Sequence, residues 1–314
     1  MTKECAIVVD RLVRDYATRE GTRRALDEMT FTVPYGHIAG LLGPNGAGKT
    51  TCVRILTTLL LPTCGSARVA GADVVGQSRV VRRAIGVSFG GDGGLYARLS
   101  GRDNLRYFGT MYGLAGKNLD AHIGGLLVRV GLEERARDRV ETYSRGMRQR
   151  LHVARALLHD PWVLLLDEPS SGIDPEGARQ LRALVAGLRD EGRAVLLTTH
   201  DMVEAEQLCD SVIVVNRGRV LQGTTVQALR AEAAASAGYR LELEIREPVE
   251  PTLLDSVPGL VRHEVDESHV LHVYTRDAAS GASYLMEKLG DNVLGLHVNT
   301  PSLEDAYLAM MQSS

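Results

Sequence analysis

The segment Gly43-Pro-Asn-Gly-Ala-Gly-Lys-Thr50 fills every fixed position of the pattern GxxxxGK[ST], and each residue type in it has a phosphate-binding task. Glycines at 43, 46 and 48 let the backbone curl with its N–H groups turned inward, while Pro44, Asn45 and Ala47 complete the loop. A helix opening at the end of the loop offers its positive N-terminus to the anion. Lys49 reaches the β and γ phosphates, and the hydroxyl of Thr50, next to Thr51, is placed to ligate a Mg²⁺ bridging them. A second set of oxygens comes from Trp162-Val-Leu-Leu-Leu-Asp167-Glu168. There Asp167 is expected to hold Mg²⁺ through water. Glu168 is the better general base for an attacking water, work worth about 10²–10⁴ in rate.

These groups need rigid elements to aim them. Ile38 to Leu42 is an apolar run that reads as a strand, followed by the loop and then a periodic apolar stretch that reads as a helix. The four apolar residues before Asp167 suit a parallel strand buried on both faces, with its chemistry at the carboxyl edge of the sheet. Ala194-Val-Leu-Leu-Thr-Thr199 is a further strand of the same kind, ending at a lone histidine, His200. The implied fold class is α/β.

Composition narrows the function classes. At 314 residues the chain is about twice the ~150 that serves as a prior for one domain, so one large domain and one smaller one are expected. Hydrophobic residues make up 44% and charged residues 24%, which excludes a mainly disordered chain. The net charge of −3, with only four lysines, argues against a nucleic-acid binder. Cys5, Cys52, Cys64 and Cys209 lie far apart and form neither a disulfide framework nor a zinc pattern. The charged start lacks the apolar core of a signal peptide. The longest candidate for a membrane span, Ile55 to Leu61, is seven residues where about 20 are needed. The chain is therefore expected inside the cell and unable to cross a membrane by itself.

Three further signals follow in order: Tyr143-Ser-Arg-Gly-Met-Arg-Gln-Arg-Leu151, then Ser171-Gly-Ile-Asp174, then His200. With the phosphate loop and the Asp167-Glu168 strand, this order strongly resembles the ATP-binding subunit of an ABC transporter. Ser144 lies 95 positions after Lys49 and 23 before Asp167, both fitting gaps for that family. The resemblance implies a P-loop NTPase fold with a helical subdomain at about 95–160, supplied by the periodic segments 102–114 and 120–130. It implies ATP and Mg²⁺ as cofactors, with Lys49, Glu168 and His200 catalytic and Thr50 and Asp167 at the metal. Tyr16 falls where the family stacks an aromatic ring on adenine. Ser144 and Gly146 open a helix, its apolar face marked by Met147, Leu151, Ala154 and Leu158, that caps the γ-phosphate of ATP held by a second copy. Asp174 couples the two sites of that homodimer.

The sequence departs from the family at two places. Gly90 stands where a glutamine usually touches Mg²⁺ and the attacking water, so either Asp92 or a water substitutes, or the glycine-rich FGGDGGLY segment is a flexible turn. Arg145 and Met147 replace the commoner glycine and glutamine of the signature, while Ser144 and Gly146 are kept.

The ATP-binding domain is expected over 1–230, with 229–238 as a helix end and linker and an accessory domain over 239–314. Alternation in 239–246 reads as a strand. A short helix at 251–257, strands at 260–265 and 270–275, a helix over 278–289 and a strand at 294–298 complete β-α-β-β-α-β, the order of a small α+β ferredoxin-like sandwich. A final helix begins with Ser302 as its cap and Asp305 three positions on. This closing segment resembles drug-export ATPases of the daunorubicin-resistance type.

Lacking a span, the chain needs a separate transmembrane permease, met near Leu95, Tyr96, Leu99 and Tyr107 or not at all if those residues are core. The reading is an ATPase that powers an exporter of drugs, antibiotics or lipid-like compounds from the cytoplasmic face of the membrane, with no nucleic-acid partner. The alternative is a soluble ABC ATPase acting on ribosomes or nucleic acid.

Overall fold

The three apolar runs at 38–42, 163–167 and 194–199 lie side by side as neighbours in one parallel sheet, and everything chemical in the sequence hangs from their ends. The computed structural model describes residues 5–19, 21–89, 93–265, 270–300 and 302–312. Contacts divide the chain into two units, Met1–Gly223 and Thr224–Ser314.

The first unit contains β1 (Cys5–Thr18), β2 (Gly21–Pro34), β3 (Ile38–Leu42), α1 (Lys49–Leu56), β4 (Cys64–Val69), β5 (Ala72–Asp73), α2 (Ser78–Ala84) and β6 (Ile85–Ser88). It continues through α3 (Gly101–Met111), α4 (Gly116–Arg129), α5 (Arg145–Ala156), β7 (Val163–Asp167), α6 (Pro175–Asp190), β8 (Ala194–Thr199), α7 (Met202–Leu208) and β9 (Ser211–Asn216). Strand β10 (Arg219–Thr225) runs through the division.

Strands β3, β7 and β8 are buried at every position, as continuous apolar runs must be when both faces of a parallel sheet are covered. The sheet order is β10-β9-β3-β8-β7-β6, with β9, β3, β8, β7 and β6 parallel. All of the chemically capable ends therefore emerge on one edge. A second, antiparallel sheet has the order β2-β1-β4-β5. One core joins Ile7, Leu12, Leu26 and Met29 of this sheet to Ile55 and Leu56 of α1 and to Leu41, Leu165 and Leu196 of the parallel sheet. Each large apolar side chain buried there contributes roughly 1.5–3 kcal/mol. Helix α1, which begins at Lys49, is thus held by both sheets, and the phosphate loop is fixed from below.

Helices α3, α4 and α5 pack on one another and form the helical segment expected between the two nucleotide motifs. The arginine-dense run 135–155 is largely spent inside this segment: Arg148 donates to the Tyr143 carbonyl, Arg150 to those of Val130 and Gly131, and Arg155 to that of Gly94.

The second unit begins with α8 (Val226–Ala237), followed by β11 (Tyr239–Ile245), α9 (Pro251–Leu254), β12 (Leu260–Val265), β13 (Val270–Thr275), α10 (Ala278–Leu289), β14 (Val293–Asn299) and α11 (Leu303–Gln312). Its sheet is antiparallel throughout with order β12-β13-β11-β14, one face carrying Leu241, Leu243, Leu271 and Val273 into its own core with Leu254 and Leu285. The element order is the split β-α-β-β-α-β expected from the alternation. Two local readings are corrected. The stretch 229–238 forms most of α8, because its alanines favour helix over linker, and α9 is shorter than the 251–257 expected. Ser302 and Asp305 cap α11 reciprocally, the Ser302 N–H donating to Asp305 Oδ2 at 2.8 Å and the Asp305 N–H to Ser302 Oγ at 3.2 Å.

Candidate active site

The phosphate loop leaves β3, turns at Gly46 (φ +83°) and Gly48 (φ +107°), and enters α1 at Lys49. Gly43 has no room for a side chain, since a Cβ there would stand 2.2 Å from the carbonyl oxygen of Val215 in β9. Gly48 lies as tightly against the Ala25 carbonyl of β2. The loop is therefore clamped between both sheets with its N–H groups free to point outward.

Asn45, Gly46, Ala47, Gly48, Lys49, Thr50 and Thr51 line a cleft of about 400 Å³ together with Glu168, Tyr16, Thr18, Arg23 and Ala25. Lys49 is 6% exposed, and its ammonium donates to the carbonyls of Gly43 at 2.6 Å and Pro44 at 3.2 Å. Burial lowers its pKa, and the nearby carboxylates of Glu168 and Asp167 offset this in part.

Asp167 and Glu168 end β7 beside that lysine. Thr50 Oγ1 donates to Asp167 Oδ1 at a long 3.5 Å, so the hydroxyl and carboxylate expected at the metal do share one place. Among the described residues no group of three or more His, Cys, Asp or Glu could hold a metal ion. A hydroxyl and one carboxylate suit Mg²⁺ that arrives with phosphate oxygens and water completing its octahedron.

Glu168 sits in the left-handed region (φ +48°), where a non-glycine residue is strained. Its N–H donates to the carbonyl and the hydroxyl of Thr198 at 3.0 and 3.1 Å, which holds it there. The Thr198 hydroxyl in turn donates to Asp167 Oδ1. His200, just past β8 and more than half exposed, brings Nδ1 to 3.3 Å from Glu168 Oε1. An acceptor carboxylate thus faces the cleft with an imidazole beside it, the arrangement needed to take a proton from water while a second group orients the phosphate.

Tyr16 in β1 lines the far end of the cleft, and the Arg14 guanidinium lies over its ring at 4.8 Å. Its other face is the one available to a base. Tyr16→Ala is expected to weaken ATP binding by the ~1–3 kcal/mol typical of base–aromatic stacking. Calorimetric titration of ATP into the two proteins measures it, and an unchanged affinity removes Tyr16 from the site.

Ser144, Gly146 and Asp174 do not line this cleft but meet one another elsewhere. Ser144 caps α5, accepting from the Met147 N–H at 3.2 Å, and Asp174 caps α6, accepting from the Gly177 N–H at 3.0 Å. A Cβ on Gly146 would stand 3.1 Å from Ile173 and 3.6 Å from Asp174, and Arg145 lies flat against Gly172, so the 144–146 and 171–174 segments pack as one surface. Gly90 and Asp92 lie outside the described residues. Sequence reasoning missed Arg23, Thr18 and Ala25 in the cleft and Thr198 behind it. Paired threonines ending an otherwise apolar strand were the signal for the last.

Residues 26–171 match the family model described as ABC transporter. The chain is 37% identical over 309 residues, 97% of its length and 95% of the relative's, to the daunorubicin resistance ATP-binding protein DrrA3 of Streptomyces coeruleorubidus. It is 34% identical, over 98% of its own length and 97% of the relative's, to the Nod factor export ATP-binding protein I of Paraburkholderia xenovorans. Among solved structures, the ATP-binding subunit of an ABC transporter superposes with a TM-score of 0.64 at 28% identity, covering 72% of this chain and 92% of that one.

Proposed function

The chain belongs to the ABC transporter family as an ATP-binding subunit, and from that premise we propose how its site works and what it drives. It is an ATPase that powers an exporter. The family's ATP-binding subunits act as dimers with a transmembrane partner, and among the described residues no helix here is long and apolar enough to cross a membrane.

In our reading, the loop N–H groups of 45–50 and the Lys49 ammonium bind the β and γ phosphates, while Tyr16 stacks on adenine. Thr50 and Asp167 hold Mg²⁺, which would supply charge neutralisation at the phosphates. Glu168 takes the proton of the attacking water, and His200 hydrogen-bonds the γ-phosphate and keeps Glu168 aimed. Carrying most weight is the separation of the two half-sites: Ser144 and Gly146 sit outside the cleft that holds Lys49 and Glu168, on a surface shared with Asp174. Two copies facing each other would place each α5 N-terminus, with its positive dipole end, on the other's γ-phosphate. ATP then closes the homodimer and hydrolysis opens it.

The permease is proposed to dock on the helical segment at the cytoplasmic face of the membrane. Tyr96, Leu99, Tyr107 and Met111 are all exposed there, with Tyr96 and Tyr107 in edge contact at 4.8 Å between ring centroids. A cluster of exposed large apolar groups marks an interaction surface. The names of the relatives support drugs, antibiotics or lipid-like compounds as cargo and do not favour action on ribosomes or nucleic acid. Affinity purification from native membranes should bring down a multi-span permease, and Tyr96→Ser with Tyr107→Ser should release it. Co-purification of ribosomes in place of a permease would overturn the reading. Deletion of the gene with unchanged drug sensitivity would remove drugs as cargo.

A further inference from the structure

Glu204, in the first turn of α7, has a carboxyl that no step above uses. The residue is 2% exposed, and both of its carboxyl oxygens are shut off from solvent without a hydrogen bond of ordinary geometry. Its N–H donates to Asp201 Oδ1 at 3.1 Å, which fixes the residue at the start of the helix. The hydroxyls of Ser170 and Thr199 face the carboxyl. Ser170 is two residues past Glu168, and Thr199 immediately precedes His200. The charged and titratable groups around it are Asp201 at the helix cap, Arg182 on α6 and the Cys209 thiol just past the helix end.

A buried carboxylate without a bonded cation costs far more than a buried neutral acid. Burial accordingly pushes the Glu204 carboxyl above the usual carboxylate range, with the two hydroxyls and Arg182 pulling back only in part. The neutral acid has one O–H to donate and an oxygen left to accept, whereas the ionised group can only accept.

We propose that Glu204 is a positioning residue: as a neutral acid it bridges the Ser170 and Thr199 hydroxyls and holds the segment bearing Glu168 against the one bearing His200. The inference rests on the reading of Glu168 and His200 as the hydrolytic pair. Because the neutral form is the working one, the bridge is complete at low pH and is lost as pH rises through the raised Glu204 pKa.

The test is the pH profile of kcat for full-length protein and for Glu204→Gln and Glu204→Ala, with KM and melting temperature measured alongside. The glutamine variant, same in shape and neutral at every pH, is expected to keep kcat within about threefold at neutral pH and to lack the part of the alkaline fall that Glu204 causes. A limb from the Lys49 ammonium remains in both proteins, so the difference between the profiles is the readout. Glu204→Ala is expected to lower kcat roughly 10–100-fold, the scale of a small misplacement of reacting groups, with KM little changed. Superimposable profiles for the parent and the glutamine variant would overturn the proposal, as would an alanine variant of unchanged kcat. If the alanine variant does not fold, the glutamine profile alone decides. Glu168→Gln in the same assay separates the underlying reading: full turnover in that variant refutes the assignment of Glu168, not the role of Glu204.

Discussion

In the Glu168→Gln variant, ATP binds as in the parent protein, hydrolysis falls at least ~10²-fold, and an ATP-bound dimer accumulates. The amide keeps the shape of the side chain and the backbone donation to Thr198, so the cleft is preserved. What disappears is the only function a carboxylate at this position has over an amide, acceptance of a proton from water. His200 at 3.3 Å is too exposed and too dependent on Glu168 for its orientation to take over at comparable rate. Phosphate release measured at saturating Mg-ATP, with sedimentation of the same samples, checks both halves. Turnover near that of the parent would show that another group is the base, and slow turnover without a dimer would separate hydrolysis from the proposed sandwich.

Lys49→Ala removes the buried ammonium and with it productive ATP binding. A charge-assisted hydrogen bond contributes about 1.5–3 kcal/mol, and this lysine serves two phosphates, so affinity should fall at least ~10–100-fold. Stability should move the other way or not at all. The pKa of Lys49 is lower in the folded chain than in the unfolded one, so the unfolded chain holds the proton more tightly and the charged form weakens the fold at low pH. That cost fades as pH rises through the folded pKa, and alanine removes it at every pH. Titration calorimetry alongside thermal melting of the ligand-free proteins distinguishes the two effects. Normal affinity in the variant refutes the assigned phosphate contact, and a large drop in melting temperature would assign the loss to folding.

Much of this site was legible because parallel strands covered on both faces must be apolar throughout, which makes their polar ends conspicuous. Lys49, Asp167, Glu168 and His200 all lie one or a few residues past such runs. The antiparallel sheet was not legible in the same way. In β1 the register against β2 shifts around Leu12, where Arg11 adopts a left-handed backbone (φ +43°), so alternation is broken. The pairing of Tyr16 with Arg23, which brings the latter to the cleft, is a consequence of that register and of nothing local. Asp174 is a contrasting case: an aspartate followed by Pro175 is a helix-start signal, and the structure has it capping α6. The alanine-rich stretch before Gly238 carried the opposite lesson, that small residues favour helix unless glycine or proline interrupts them.

Glu168 also has a meaning for anyone who would remake this protein. Its left-handed backbone suits glycine or asparagine, and a glutamate there forgoes roughly 1–2 kcal/mol of folding free energy. A redesign scored on stability alone would change this residue among the first, produce a sturdier domain, and in doing so switch off the engine. At this position thermostability and turnover are opposed objectives, and a sequence that retains the acid records selection for work done, not for a more durable fold.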